Sequence, residues 1–229
     1  MNTKRDLAYD KSILFIHYLR EQPGLDWLWD RERNRLTGHW QGEAWSFRLP
    51  VPLPIPGPSM AFSDYLEAIP VIPPSYLMIL IQAGHSAMAY FEDGEMLHHK
   101  VIKKYMVRGN GRAQVGYLQS RGKSKAGSRV RLANTVSFFE DINAKLREWD
   151  KTEAATRILV ACGEKLRPLW FASHTTPPFE KDDPRITKVP LDVQRPDLEE
   201  LVSINKQVLR GRYEGPADLV DAFFAGLMG

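Results

Sequence analysis

The chain has 229 residues, 43% of them hydrophobic, which is enough to bury one core, or one core with a small appended subdomain. A formal net charge of +3 is too mild to identify a nucleic-acid binder, and a single cysteine excludes a disulfide framework. The longest apolar run, Leu77 to Ile81, is too short for a bilayer and the N-terminus has no signal-peptide pattern. We therefore expect a cytoplasmic protein with no membrane partner.

The N-terminal third has the pattern of a small α+β subdomain. Residues Asp10 to Arg20 carry apolar residues at helical spacing, and Leu36–Trp40 and Ala44–Leu49 flank a turn at Gly42, which favours a hairpin. Alternate prolines from Pro50 to Pro58 predict a stiff extended connector rather than a docking peptide. We place this subdomain at residues 1–68 and predict that its tryptophans are core residues: Trp27, Trp29, Trp40 and Trp45.

Residues 69–229 have the pattern of an α/β domain. Strands are predicted at Tyr76–Gln82, Ala87–Phe91, Glu95–Met106, Arg157–Cys162 and Ile186–Leu191. Helices are predicted from Leu132 to Trp149, from Leu198 to Leu209 and from Ala217 to Leu227. Asp93-Gly94 is typical of a tight hairpin turn, and Cys162 is expected to be a buried thiol at a strand end. These elements predict a mixed β-sheet with packed helices.

Positive charge is concentrated in one segment of this domain. Between Met96 and Phe139 there is no Asp or Glu, while ten of the 31 Lys and Arg residues lie there. The rest of the chain then has 21 basic residues against 28 acidic ones. A basic arm on an acidic body indicates a polyanionic partner.

The centre of that segment, Val107 to Ser128, is predicted to be a flexible loop. It contains five glycines together with cations on both sides of Gly111-Arg112-Ala113-Gln114. Glycine gives backbone freedom, and the cations favour ordering against phosphates.

The order of residues in and around the loop resembles a known family. Lys104-Tyr105-Met106-Val107-Arg108, Gly111-Arg112-Ala113-Gln114 and Lys125-Ala126-Gly127-Ser128-Arg129-Val130-Arg131 look like the active loop of the VLRF release factors. These are the bacterial relatives of the valosin-partner, mitochondrial-stress-responsive release factors of ribosome quality control. They are distantly similar to the middle domain of the eukaryotic and archaeal class I peptide release factor, with its Gly-Gly-Gln signature. The resemblance extends from about Ser75 to Tyr213 and implies a release-factor middle-domain-like fold.

Two features depart from the release-factor pattern. Arg112 and Ala113 stand at the second and third positions of the signature, although the animal stress-responsive member has Gly-Thr-Ala-Gln, so alanine before the glutamine is compatible with the family. The sequence also has no recognisable codon-reading domain, zinc finger, ankyrin repeat or valosin-binding helix. We therefore expect release without stop-codon specificity.

The resemblance implies a peptidyl-tRNA hydrolase that acts in the peptidyl-transferase centre of the large ribosomal subunit, without a metal ion or cofactor. Gln114 would donate its backbone N–H to the developing oxyanion and orient water through its amide, on a loop shaped by Gly111, Arg112 and Ala113. Tyr105 would stack on a base or pack beneath the loop. Residues that would contact RNA phosphates are Lys104, Arg108, Arg121, Lys123, Lys125, Arg129 and Arg131.

Two alternatives remain open at this point. Eukaryotic members of the stress-responsive group look like tRNA endonucleases that cut near the CCA end, with a cation such as Arg108 or Arg112 stabilising the transition state. A non-catalytic ribosome- or tRNA-binding protein would use the same loop only as an anchor. A conventional hydrolase ranks last, because the sequence lacks the corresponding motifs. Adjacent His98 and His99 point to opposite faces of a strand, which disfavours a metal site.

Overall fold

The structure is a computed structural model that describes residues 2–30, 33–57, 59–104, 124–149 and 154–228, with the side chains of the long helix described from residue 135 onward. The strands are β1 (Asn2–Leu7), β2 (Asp26–Asp30), β3 (Arg35–Trp40), β4 (Glu43–Arg48), β5 (Tyr76–Gln82), β6 (His85–Glu92), β7 (Glu95–Lys103), β8 (Arg157–Cys162), β9 (Ile186–Lys188) and β10 (Gly211–Pro216). The helices are α1 (Tyr9–Glu21), α2 (Phe62–Ala68), α3 (Ser124–Trp149), α4 (Arg167–Phe171), α5 (Leu198–Val208) and α6 (Ala217–Met228).

These elements confirm a mixed α/β fold, and they form two five-stranded sheets. The chain divides into two compact units. Unit one comprises Met1–Tyr76, Glu92–Glu95 and Ser203–Gly229, and unit two comprises Leu77–Phe91 and Met96–Val202. None of the helices within the described residues combines the length and the hydropathy needed to span a membrane.

Unit one joins both ends of the described chain in one sheet, with the strand order β1-β10-β4-β3-β2. Strand β10 pairs antiparallel with β1 from Asn2↔Pro216 to Leu7↔Gly211, and its Tyr213 lies opposite Phe47 of β4. This unit differs from the predicted division at residue 68, because residues 203–229 contribute a strand and helix α6 to it. Sequence patterning missed β10, since a strand containing two glycines and a proline has weak strand propensity.

An aromatic cluster forms the core of unit one. The ring of Phe15 in α1 lies 5.0 Å from the rings of both Phe47 and Phe223, in edge-to-face arrangements. Trp45 is buried, and the other predicted core tryptophans pack against the cluster. The predicted β3–β4 hairpin is present, and its turn residues Gln41 (φ 53°) and Gly42 (φ 84°) adopt the positive φ angles that tight hairpins need.

Unit two is built on the second sheet, with the strand order β7-β6-β5-β8-β9. Strands β8 and β9 are parallel, with Ile158 opposite Ile186, whereas β6 and β7 are joined by the predicted turn at Asp93 (φ 52°) and Gly94 (φ 84°). Helix α3 packs its apolar stripe on this sheet, and the shared core includes Leu77, Met88, Tyr90, Phe138, Ile142 and Ile158. This packing fixes where the two ends of the basic segment leave the fold.

Candidate functional site

Most residues of the predicted site lie outside the described residues. Residues 105–123 are not described, and they contain the predicted catalytic residues Gly111, Arg112, Ala113 and Gln114. The same holds for four predicted RNA contacts: Tyr105, Arg108, Arg121 and Lys123. The roles of these residues therefore stay predictions, and the structure describes what surrounds their segment.

In the chain, this segment is preceded by β7 with Lys104 and followed by α3, and we call these flanking elements the loop frame. Strand β7 ends at Lys103 and α3 begins at Ser124, so both ends of the segment attach to unit two. The helix begins four residues earlier than the end of the predicted loop at Ser128, and β7 ends before Met106. Lys125 consequently lies near the N-terminal end of α3 rather than in the predicted loop, and Arg129 and Arg131 follow it in the same helix, with the side chains of all three outside the described residues.

Lys104, which was predicted to contact RNA phosphates, contacts the protein itself in the structure. Its ammonium Nζ lies 2.6 Å from Oδ2 of Asp141 and donates to the backbone oxygen and Oγ of Ser137, at 3.1 and 3.0 Å. Its backbone N–H donates to the carbonyl oxygen of Gly84, in the turn between β5 and β6, at 2.9 Å. The side chain is 27% exposed. Lys104 thus connects the start of the segment to both the sheet and α3.

A buried amide fixes α3 farther along its length. Asn143 is fully buried, and its Nδ2 donates to Oγ of Ser173 at 2.8 Å and to the carbonyl oxygen of Thr175 at 2.7 Å. Its Oδ1 accepts a hydrogen bond from the indole Nε1 of Trp170 at 2.6 Å. Because every polar atom of this side chain has a partner, the network holds α3 against α4 and the loop that follows it.

Strand β7 carries exposed cations immediately before Lys104. His99, Lys100 and Lys103 are exposed, whereas Ile102 is buried. Among the described residues, neither Lys100 nor Lys103 makes an ion pair or a side-chain hydrogen bond. His98 faces α3, where its ring stacks on Trp149 at 5.9 Å. The frame therefore presents uncompensated positive charge on the strand that leads into the basic segment.

Other candidate groups lie apart from the loop frame. Cys162 is half-buried rather than fully buried, and desolvation raises the pKa of its thiol to about 12, so it is a poor nucleophile at neutral pH. Within the described part of the chain, no three His, Cys, Asp or Glu side chains are grouped so as to hold a metal ion. A cleft of about 770 Å³ lies at the C-terminal end of α3, lined by Arg147, Thr176 and Asp183 among others.

Asp141 and Ser137 are residues of the frame that the sequence analysis missed. They lie four residues apart in α3, a spacing that places them on one face of a helix, and this is the local signal that they carried. Their partner Lys104 is 33 residues away from Ser137, and no periodic pattern reports a contact over that distance.

One family model matches a range of the chain that includes both residues 105–123 and the loop frame. The family described as Bacteroidetes VLRF1 release factor matches residues 76–214, which is more than half of the chain. The matched range contains β5 to β9, α3 and the whole of residues 105–123.

Curated relatives match over a similar length of chain. The tRNA endonuclease ANKZF1 of Mus musculus is 31% identical over 135 residues, which is 56% of this chain and 18% of that protein. The Homo sapiens ANKZF1 is 31% identical over 134 residues, and the Caenorhabditis elegans tRNA endonuclease vms-1 is 28% identical over 132 residues, 54% of this chain and 20% of that protein. The chain thus spans about a fifth of the length of these relatives.

Among solved structures, a chain described as the Vms1 mitochondrial localization core is similar with a TM-score of 0.44 and 14% sequence identity. That alignment covers 85% of this chain and 77% of the other.

Proposed function

Because the chain belongs to the Bacteroidetes VLRF1 release factor family, we propose that it frees nascent peptides from peptidyl-tRNA on the large ribosomal subunit by hydrolysing the ester bond in the peptidyl-transferase centre. The observation that carries the proposal is the family match over residues 76–214, since this range includes Gly111-Arg112-Ala113-Gln114 and both ends of the loop frame. The ribosome and peptidyl-tRNA are the proposed partners, and ribosome rescue in the cytoplasm is the proposed setting.

The charge of the loop frame supports an RNA partner. Lys100 and Lys103 are exposed on β7, and further cations follow through residues 105–123 into α3. The first turn of α3 contains no acidic residue, so the positive end of the helix dipole is not neutralised there. Cations near a helix N-terminus repel its exposed N–H groups, and a bound phosphate relieves that repulsion. This arrangement favours the phosphates of tRNA or ribosomal RNA.

The proposed reaction needs no ionisable group on the protein. A water attacks the carbonyl carbon of the ester, the bond to the ribose 3′ oxygen breaks, and the proton lost by water ends on that oxygen. The products are a peptide with a free carboxyl group and an intact tRNA with a free 3′ hydroxyl. Gln114 would orient the water with its side-chain amide and stabilise the oxyanion with its backbone N–H, while the ribosome and tRNA supply the rest of the site.

Release assays with stalled ribosome–peptidyl-tRNA complexes test this proposal. Gln114→Ala should lower the single-turnover rate on the order of 100- to 1000-fold, the loss seen when one transition-state donor is removed from an enzyme. Gln119→Ala is the matched control, because it removes the same amide from the same glycine-rich segment and should leave the rate unchanged. Equal rates for wild type and Gln114→Ala would show that Gln114 takes no part in the release reaction.

A second reaction is favoured by the names of the curated relatives, which are tRNA endonucleases. In that reaction a ribose 2′ hydroxyl attacks the adjacent phosphate, the 5′ oxygen leaves, and the shortened tRNA ends in a cyclic phosphate. Arg108 or Arg112 would stabilise the charge on the phosphate. Both routes free the peptide, but they leave different tRNA ends.

A further inference from the structure

We propose that Lys104, Ser137 and Asp141 form a clamp that positions residues 105–123 for reaction, and that Lys104 is a positioning residue rather than an RNA ligand. This inference rests on the proposed function, because it assigns a role in the same release reaction. It concerns residues that the structure describes on both sides of the segment.

The clamp joins three elements at one residue. The backbone N–H of Lys104 donates to the carbonyl oxygen of Gly84 at 2.9 Å, which fixes residue 104 to the β5–β6 turn. Its side chain crosses to α3, where Nζ contacts Asp141 at 2.6 Å and Ser137 through two oxygens at 3.0 and 3.1 Å. Residue 104 is therefore bound to the sheet by its main chain and to the helix by its side chain.

The hydrogen-bonding capacity of the ammonium separates this role from phosphate binding. A lysine ammonium has three N–H donors and no acceptor, and Lys104 has three oxygen partners within the protein. Binding a phosphate would require it to break one of these contacts. Lys100 and Lys103 have no such partners among the described residues, so their ammonium groups are available to RNA.

The position of the clamp in the chain gives it a consequence for catalysis. Lys104 directly follows β7, and its side chain contacts the middle of α3, the helix that follows the segment, so the clamp fixes the point where the chain leaves β7 relative to the body of α3. An error of about 1 Å in placing a reacting group costs on the order of 100-fold in rate. Loss of the clamp should therefore lower the rate of the bound complex while leaving its affinity largely intact.

Four variants test the clamp in a single-turnover release assay with varied enzyme concentration. Lys104→Met and Asp141→Asn should each lower the maximal rate roughly 10- to 100-fold without changing the half-saturating concentration or the salt dependence of binding. The double variant should be no slower than the slower single variant, because both remove one interaction. The charge-reversed pair Lys104→Asp with Asp141→Lys should recover part of the rate.

The matched control is Lys145→Met, which breaks another ion pair of α3. Lys145 lies 2.6 Å from Glu148 and its side chain is 25% exposed, so it resembles Lys104 in contact distance and exposure, but its ion pair lies within α3 and does not join the helix to residue 104. We expect its maximal rate to equal that of the wild type. Thermal unfolding of all variants separates the rate effect from general destabilisation.

Opposite outcomes for Asp141→Asn decide between the two roles of Lys104. If Lys104 binds phosphate, Asp141→Asn releases its ammonium and strengthens RNA binding, while Lys104→Met lowers the salt slope by about one. Either result would overturn the clamp.

Failure of the proposed function has a separate signature. If wild type and Gln114→Ala are equally inactive, peptide release is wrong, and the clamp is then judged by hydrogen exchange of the Lys104 amide in the free protein. Faster exchange in Asp141→Asn but not in Lys145→Met supports the clamp, and unchanged exchange in both overturns it.

Discussion

The two units of the molecule use their polar groups differently. In unit one, cations pair with carboxylates across the sheet surface: Lys4 with Glu214, Arg5 with Asp221, and Arg212 with Asp6. Its core is an aromatic cluster around Phe15. In unit two, polar side chains instead hold the middle of one helix, α3, where Lys104 contacts Ser137 and Asp141 and where Asn143 forms its buried network. Lys100 and Lys103 have no ion pair among the described residues. Unit two therefore holds α3 by polar contacts and carries two lysines on β7 that make no ion pair with the described residues.

The largest stability effect is expected from the buried amide of unit two. Asn143→Leu keeps a similar volume but leaves Trp170 Nε1 without an acceptor and removes the hydrogen bonds that Asn143 donates to Ser173 Oγ and to the carbonyl oxygen of Thr175. The orphaned indole N–H costs about 1–3 kcal/mol and each of the two lost hydrogen bonds about 0.5–1.5 kcal/mol, so we expect a loss of about 2–4 kcal/mol in the free energy of unfolding. Hydrogen exchange of α3 amides measures this loss.

The exposed pair Lys4–Glu214 provides the contrast in unit one. Lys4→Gln should change the free energy of unfolding by less than about 0.5 kcal/mol, because both side chains are largely in solvent. If Asn143→Leu and Lys4→Gln lowered the free energy of unfolding equally, the polar contacts of the two units would not differ in their contribution to stability.

The next effect concerns affinity for RNA. Replacing both Lys100 and Lys103 with Gln should reduce the slope of log affinity against log salt by about 1.5–2, if each ammonium displaces a counterion from one phosphate. The maximal release rate should stay that of the wild type. Lys4→Gln in unit one is the control and should leave the slope unchanged. A double variant with the wild-type slope would show that β7 makes no phosphate contact.

The remaining effects depend on pH and concern one carboxylate in each unit. Hydrogen bonds from Arg185 hold the pKa of Asp183 below its usual range, and those from Arg212 do the same for Asp6. Stability from a lowered carboxylate pKa is present above the unfolded value, near 3.9, and is lost as the pH falls through the folded value. Asp183 is 12% exposed and Asp6 is 35% exposed, so the contribution of Asp183 should be larger.

We therefore expect Asp183→Asn to cost about 1–2 kcal/mol at pH 7 and Asp6→Asn about 0.5 kcal/mol or less. Both differences should shrink once the pH falls below about 4. Urea unfolding between pH 2.5 and 7 measures them. A cost of Asp183→Asn that stays constant to the lowest pH would mean that its charge is not the source.

Sequence patterns predicted the buried strands of the fold better than the exposed edge strand β1. Strands β5 and β8 were predicted to the residue, because a buried strand is a continuous apolar run bounded by turn residues. Strand β1, with the sequence NTKRDL, is mostly exposed and has only Leu7 buried, so it carries no such run. It is a strand because β10, about 200 residues away in sequence, supplies its partner.

In the candidate site, too, local features could be predicted from the sequence and long-range contacts could not. The glycine-rich basic segment is a local feature and could be predicted from the sequence with its resemblance to release factors. The clamp and the Asn143 network depend on contacts across about 30 residues, so no local pattern predicted that Lys104 would contact Ser137 and Asp141. The charge of a residue shows that it can bind phosphate. Only the tertiary structure shows whether its charged group already contacts other residues of the protein.

The 3′ end of the tRNA after reaction tests the central proposal most directly. Stalled ribosome complexes carrying 5′-labelled peptidyl-tRNA are incubated with the wild type, Gln114→Ala and Gln119→Ala, and the RNA is resolved at single-nucleotide length. Release by ester hydrolysis predicts full-length tRNA with an intact CCA end and a free 3′ hydroxyl, formed by the wild type and Gln119→Ala but not by Gln114→Ala. A shortened tRNA ending in a cyclic phosphate, or peptidyl-tRNA that persists with the wild type, would contradict it.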